Sequence, residues 1–98
     1  MDRGGCVYIL TNKSHTVLYI GVTADLYSRT IEHKMKINPK SFSAKYLCNE
    51  LIYYKQFSSI EEAIDREKQL KNWKRVWKVN LINGFNPSWK DLLNEITE

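Results

Sequence analysis

Arg29 and His33 are spaced one helical turn apart, so on a helix they present a guanidinium and an imidazole side by side. An arginine can hold two phosphate oxygens at once, and a histidine can pass a proton near neutral pH. The same spacing also suits an exposed polar helix face. A second feature is a carboxylate where apolar residues belong. Ile60, Ala63, Ile64, Leu70 and Lys71 define a stripe at helical spacing, and Glu67 sits on its centre line. Desolvating a carboxylate there is costly unless a cation or hydrogen-bond donors meet it, so either the stripe opens into a cleft or Glu67 is paired inside the fold. Tyrosines crowd the apolar runs as Tyr8, Tyr19, Tyr53 and Tyr54, positions that usually pack a ring and leave a wet hydroxyl. In Tyr19-Ile20-Gly21, a glycine near a strand end marks a close backbone approach or a bulge.

The chain has 98 residues, 43% of them hydrophobic and 12% aromatic, which is room for one domain with one modest core and too apolar for disorder. The formal charge of +4 leans weakly towards polyanionic partners. Its distribution says more: Lys68, Lys71, Lys74, Arg75 and Lys78 are interleaved with Trp73 and Trp77. That pattern suits phosphate contact beside aromatic stacking, and equally a solvated helix face with the tryptophans turned inward. The apolar runs, such as Val7-Tyr8-Ile9-Leu10, are far too short to span a membrane. With no apolar leader at the N-terminus, the protein is expected in the cytoplasm. Cys6 and Cys48 are far apart and in no metal-ligand spacing, which in a reducing compartment reads as two free, buried thiols. No phosphate-cradling glycine loop, zinc-ligand spacing or nucleophile elbow is present.

The elements that must position these residues follow from local pattern. Cys6–Thr11 and Val17–Val22 are β-branched and aromatic runs on either side of the polar segment Asn12-Lys13-Ser14-His15, which predicts a hairpin. Both parities of each run are apolar, so the sheet should be covered on both faces. Asp25 is placed to cap a helix running to about Ile37, stopped by Asn38-Pro39. A basic, serine-containing loop to Tyr46 and a third strand, Leu51–Phe57, come next. Ser59-Ile60-Glu61-Glu62 is a capping box for a second helix through Trp73, and a further helical stretch from Val76 should stop at Gly84. Ser88-Trp89-Lys90-Asp91 is a second capping box, predicting a terminal helix over 88–96 packed on a core of about 6–83. The sum is an α+β chain of order ββαβααα, a small three-stranded antiparallel sheet flanked by helices in a single domain spanning 1–98.

These residues resemble the GIY-YIG endonuclease domain, especially its small stand-alone bacterial members. The second motif is intact as Tyr19-Ile20-Gly21; the first is degenerate, Cys6-Val7-Tyr8, but keeps the tyrosine. Arg29 and His33 follow at the family's distances, and Glu67, within Glu67-Lys68-Gln69-Leu70-Lys71-Asn72-Trp73, matches the metal-binding glutamate. The terminal Asn86-Pro87-Ser88-Trp89-Lys90-Asp91-Leu92 is also similar to the stand-alone members. Two departures stand out: Val22 replaces a lysine found in some members, and a family asparagine could be Asn80 or Asn83.

The resemblance implies a metal-dependent hydrolase of nucleic-acid phosphodiesters, with a role such as DNA repair, structure-selective or weakly selective, acting on DNA in preference to RNA. Glu67 would hold one Mg²⁺ or Mn²⁺ and Arg29 would clamp phosphate oxygens. Tyr8 would take the proton from attacking water with His33 as its relay, and nearby positive charge would lower the Tyr8 pKa. Tyr19 would hold water or phosphate. Lys68, Lys71, Lys74, Arg75 and Lys78 would bind nucleic acid around the rim. The five central side chains should then gather around one open patch, with Glu67 partly exposed at its floor. A decayed nucleic-acid-binding module on the same fold is the alternative.

Overall fold

A computed structural model of the protein describes residues 4–35 and 45–96. Three antiparallel strands form the sheet: β1 (Gly5–Thr11), β2 (Leu18–Thr23) and β3 (Glu50–Phe57), in the order β2-β1-β3. Central β1 is buried along its whole length, as a strand covered on both faces should be. The hairpin closes because Asn12 organises its turn: its Oδ1 accepts the backbone N–H groups of Thr16 at 2.8 Å and Val17 at 3.0 Å. Between β1 and β3 the register jumps from Ile9↔Tyr53 to Leu10↔Leu51, leaving Ile52 as an extra residue. That bulge puts Ile52 and Tyr53 on one face although they are adjacent in sequence.

The helices are α1 (Leu26–Lys34), α2 (Ile60–Asn72), α3 (Arg75–Phe85) and α4 (Leu93–Ile96). The expected helix end near Ile37, its Asn38-Pro39 stop and most of the serine-containing loop lie outside the described residues. Asp25 caps α1, accepting from the Ser28 N–H at 3.2 Å and the Ser28 hydroxyl at 2.9 Å. Ser59 caps α2, its hydroxyl accepting from the Glu62 N–H at 3.2 Å and donating to the Glu62 carboxylate at 3.2 Å. The strand boundaries shift by one residue from expectation, and two helix boundaries differ for a reason the structure shows. Helix α3 runs through Gly84 to Phe85, because the chain turns at Asn86-Pro87, where proline cannot continue a helix. The terminal helix begins at Leu93, not at Ser88: Asp91, not Ser88, accepts the Leu93 N–H at 3.1 Å, and Trp89 adopts a left-handed φ of 54°.

Each face of the sheet carries its own apolar cluster. On one, Val7, Ile9, Ile20, Ile52 and Tyr53 meet Ala63 and Leu70 of α2 and Ile82 of α3. On the other, Tyr8, Leu10, Cys48 and Leu51 pack with Leu92, with Tyr19, Leu26 of α1 and Ile96 of α4 at the margin. Both cysteines are free and buried. No described helix is long and apolar enough to cross a membrane.

Candidate active site

Alternation along the strands decides which tyrosines can meet α1. Tyr8 pairs with Gly21, and Tyr19 lies two residues earlier on β2, so all three share the face opposite α2. The ring of Tyr8 lies flat over Gly21, where a Cβ would collide with its Cζ and hydroxyl. The close approach signalled by that glycine is therefore to the Tyr8 ring, and it holds the hydroxyl in place. Helix α1 crosses above and brings down His33, whose Nε2 stands 3.2 Å from the Tyr8 hydroxyl. The imidazole also lies 5.3 Å from the Tyr19 ring, centroid to centroid, and 5.9 Å from the Tyr8 ring. Arg29, one turn earlier, acts electrostatically on both Tyr8 and His33. Its guanidinium is half exposed, with Nε 3.4 Å from the Glu32 carboxylate.

The titration of this cluster is set by burial. Desolvation pushes the Tyr8 hydroxyl well above its usual 10, helped by the neighbouring Tyr19 and opposed by Arg29. This corrects the expectation that positive charge would lower it: with the ring 1% exposed, loss of water outweighs the guanidinium. His33 moves the other way. Burial, reinforced by Arg29, lowers its pKa below 6.5, and Glu32 opposes the shift. At neutral pH the pair is thus a protonated phenol beside a neutral imidazole. Glu32 is the charged neighbour that sequence reasoning passed over; its spacing of three from Arg29 was the available signal.

Glu67 is carried elsewhere. Helix α2 packs across β1 and β2 on the other face, and its buried stripe of Ala63 and Leu70 includes Glu67, whose side chain is 16% exposed. The carboxylate pairs with Lys71 at 3.4 Å, and Lys71 itself is mostly in solvent. Arg66, one residue before, reaches the Tyr53 hydroxyl of β3 and stacks on Trp73 at 4.8 Å. A helix turns by roughly 100° per residue, so Glu67 points away from β3, to the flank over β2. Among the described strands β2 lies at an edge of the sheet, and it also carries Tyr19. The structure therefore gathers Tyr8, Tyr19, Arg29 and His33 on one face, while the helix that carries Glu67 packs on the other. The expected single patch of five is not formed on one face, and Glu67 could join the other four only around the β2 edge.

The basic residues stand on the Glu67 side. Lys68 and Lys71 are exposed on α2, and Lys74 lies over the Trp77 ring at 5.9 Å. Arg75 donates to the His15 carbonyl at 3.1 Å, and Lys78 is half-buried on α3. Trp77 is half exposed, while Trp73 packs against the core. Val22 packs against the α2-side cluster. Asn83 accepts from the Trp89 indole at 2.6 Å, and Asn80 lines a groove with Tyr53, Tyr54 and Phe85.

The donor set suits a hard cation. Among the described residues no three His, Cys, Asp or Glu side chains form a metal-ligand group, so a cage of protein ligands does not fit. A single mostly buried carboxylate such as Glu67, with its remaining partners supplied by water and substrate, could hold a hard divalent cation.

Comparison with known proteins is consistent in kind. The family model for the GIY-YIG catalytic domain matches residues 4–80. The chain is 34% identical over 98 residues to a UPF0213 protein of Streptococcus pneumoniae serotype 4, covering 91% of this chain and 97% of that one. It is 31% identical over 86 residues to a UPF0213 protein of Oceanobacillus iheyensis, covering 84% and 93%. No solved structure matches the chain significantly.

Proposed function

The chain belongs to the GIY-YIG catalytic-domain family, and from that premise we propose that it is a metal-dependent endonuclease cutting nucleic-acid phosphodiesters, DNA in preference to RNA. The single observation that carries this reading is the 3.2 Å contact between the buried Tyr8 hydroxyl and His33 Nε2, beside the half-exposed guanidinium of Arg29. A structural tyrosine would not need a neutral base and a cation held against its hydroxyl.

The residues divide the work by their protonation states. Tyr8 keeps its proton at neutral pH and His33 has none to spare on Nε2, provided the Nδ1–H tautomer is present. Water attacking phosphorus gives its proton to the Tyr8 oxygen as the Tyr8 proton passes to His33 Nε2, so no free phenolate is required. Arg29 clamps the non-bridging oxygens where charge accumulates in the transition state. Tyr19, beside His33, orients water or phosphate. Glu67 would hold one Mg²⁺ or Mn²⁺ at the β2 edge, so a phosphate shared with Arg29 would have to lie across that edge; the ion would supply stabilisation of charge on the phosphate and the leaving oxygen. The lysines and arginine from Lys68 to Lys78 supply sequence-independent attraction to the backbone. The assigned contacts are to phosphate, which carries no base identity, so cutting is structure-selective or weakly selective.

A non-catalytic nucleic-acid-binding module is the second reading, favoured by one observation: Ala63 and Leu70, which flank Glu67 along α2, pack on the sheet face opposite Tyr8. Nicking of supercoiled and branched DNA with Mg²⁺ or Mn²⁺, with Glu67→Ala as control, separates the two. The nuclease reading expects chelator-sensitive cleavage that Glu67→Ala abolishes while the fold persists. It also expects Mn²⁺ to broaden NMR signals at Glu67 and Tyr19 together. Cleavage at wild-type rate in Glu67→Ala would place the metal elsewhere, and DNA binding without cleavage would favour the module.

A further inference from the structure

The tail beyond the matched residues 4–80 touches the site from behind. Lys34 follows His33 at the end of α1, and its amine donates to the Asp91 carboxylate at 2.5 Å and to the Asn49 carbonyl at 2.7 Å. The other oxygen of Asp91 accepts the backbone N–H of Leu51 at 3.2 Å and of Leu93 at 3.1 Å. One carboxylate thus ties the last turn of α1 to β3 and to α4. Leu92, 3% exposed, donates its N–H to the Leu51 carbonyl at 2.7 Å and packs in the same buried cluster as Tyr8. Asn86, 3% exposed, anchors the other end of the segment, its amide donating to the carbonyls of Ile52 at 3.2 Å and Lys90 at 2.8 Å.

We propose that residues 86–93 form a positioning strap for the catalytic helix, in which Asp91 fixes the turn that carries His33 and Leu92 backs Tyr8. The two partners of the 3.2 Å contact come from different elements, α1 and β1, and a hydrogen bond weakens steeply with small misplacement. Helix α1 is only nine residues long, with a single buried side chain, Thr30, so its own packing holds its far end weakly. The strap supplies the missing restraint from β3, the strand that neighbours β1. Asp91 and Lys34 are positioning residues: neither touches the reacting groups.

The effect on rate rests on the nuclease reading, but the geometry does not. Among the described groups facing His33 are Tyr8 and Tyr19 from the strands and Arg29 and Glu32 from its own helix, with Asp91 acting through Lys34. Asp91→Asn keeps acceptors for both backbone N–H groups and loses the charge; Lys34→Met removes the amine and leaves Asp91 its backbone bonds. In the full chain, the His33 imidazole followed by NMR should titrate at higher pH in both variants, towards the ordinary 6.5, as the loosened turn admits water. Cleavage should lose about tenfold in kcat with KM unchanged, and Lys34→Arg should restore both. Folded variants that titrate and cleave like the wild type would overturn the proposal. So would a lower melting temperature with the His33 titration unmoved, or loss of fold in Lys34→Met, since the tie would then serve stability alone. If wild-type protein fails to cleave with either metal while the titration shifts as stated, only the nuclease reading falls.

Discussion

Arg29 and His33 share a helix but not a role, and single substitutions should separate them. Arg29→Ala removes one preorganised charged donor, which is expected to cost roughly 100- to 1000-fold in kcat. Affinity should fall much less, because the basic residues of α2 and α3 are untouched. Single-turnover rates and binding titrations on one DNA substrate test this, and an affinity loss as large as the rate loss would make Arg29 a binding residue. On the proposed mechanism His33 would set the acid limb of activity. Its folded pKa is depressed by burial and Arg29, so the active neutral form persists below pH 6.5 and is lost as pH falls through the lowered value. The kcat/KM profile should accordingly have its acid limb below 6.5. Glu32→Gln should push that limb lower still, since Glu32 opposes the depression. A limb above 6.5 would contradict the assigned relay.

At the scale of elements, α2 and α3 form a basic flank distinct from α1 and the tyrosine face. Lys68, Lys71 and Lys74 are exposed there, whereas Arg75 is tied to the hairpin through the His15 carbonyl. Phosphate contacts release counterions, so the slope of log affinity against log salt should become shallower by about 1 for each contacting lysine removed. Lys68→Ala and Lys74→Ala are the informative variants, because neither residue pairs with Glu67. Isotherms at low and moderate salt provide the measurement, and a wild-type affinity indifferent to salt would remove the flank from the interface.

For the whole molecule, burial of ionisable groups on both faces makes the fold sensitive to alkali. Cys6 is pushed up to about 11 by burial, and Tyr8 and Tyr53 are raised for the same first cause. Groups raised in this way contribute stability that is full below their unfolded values, near 9 and 10, and is lost as pH rises through the folded ones. The melting temperature should hold near neutral pH and fall steadily above pH 9, and a flat profile to pH 11 would show these groups to be wetter than the structure places them. Local pattern by itself determined the hairpin, the Asp25 and Ser59 caps and the apolar alternation of the two-faced sheet, because each depends on residues within a few positions of one another. Tertiary structure decided what depends on distant partners. The direction of the Tyr8 shift comes from water excluded by several elements together. The face that carries Glu67 follows from how α2 rolls on the sheet, which Arg66 and Tyr53 settle from 13 positions apart. Lys34 and Asp91, 57 positions apart, meet only once the chain has folded, and no spacing along the sequence announces such a pair.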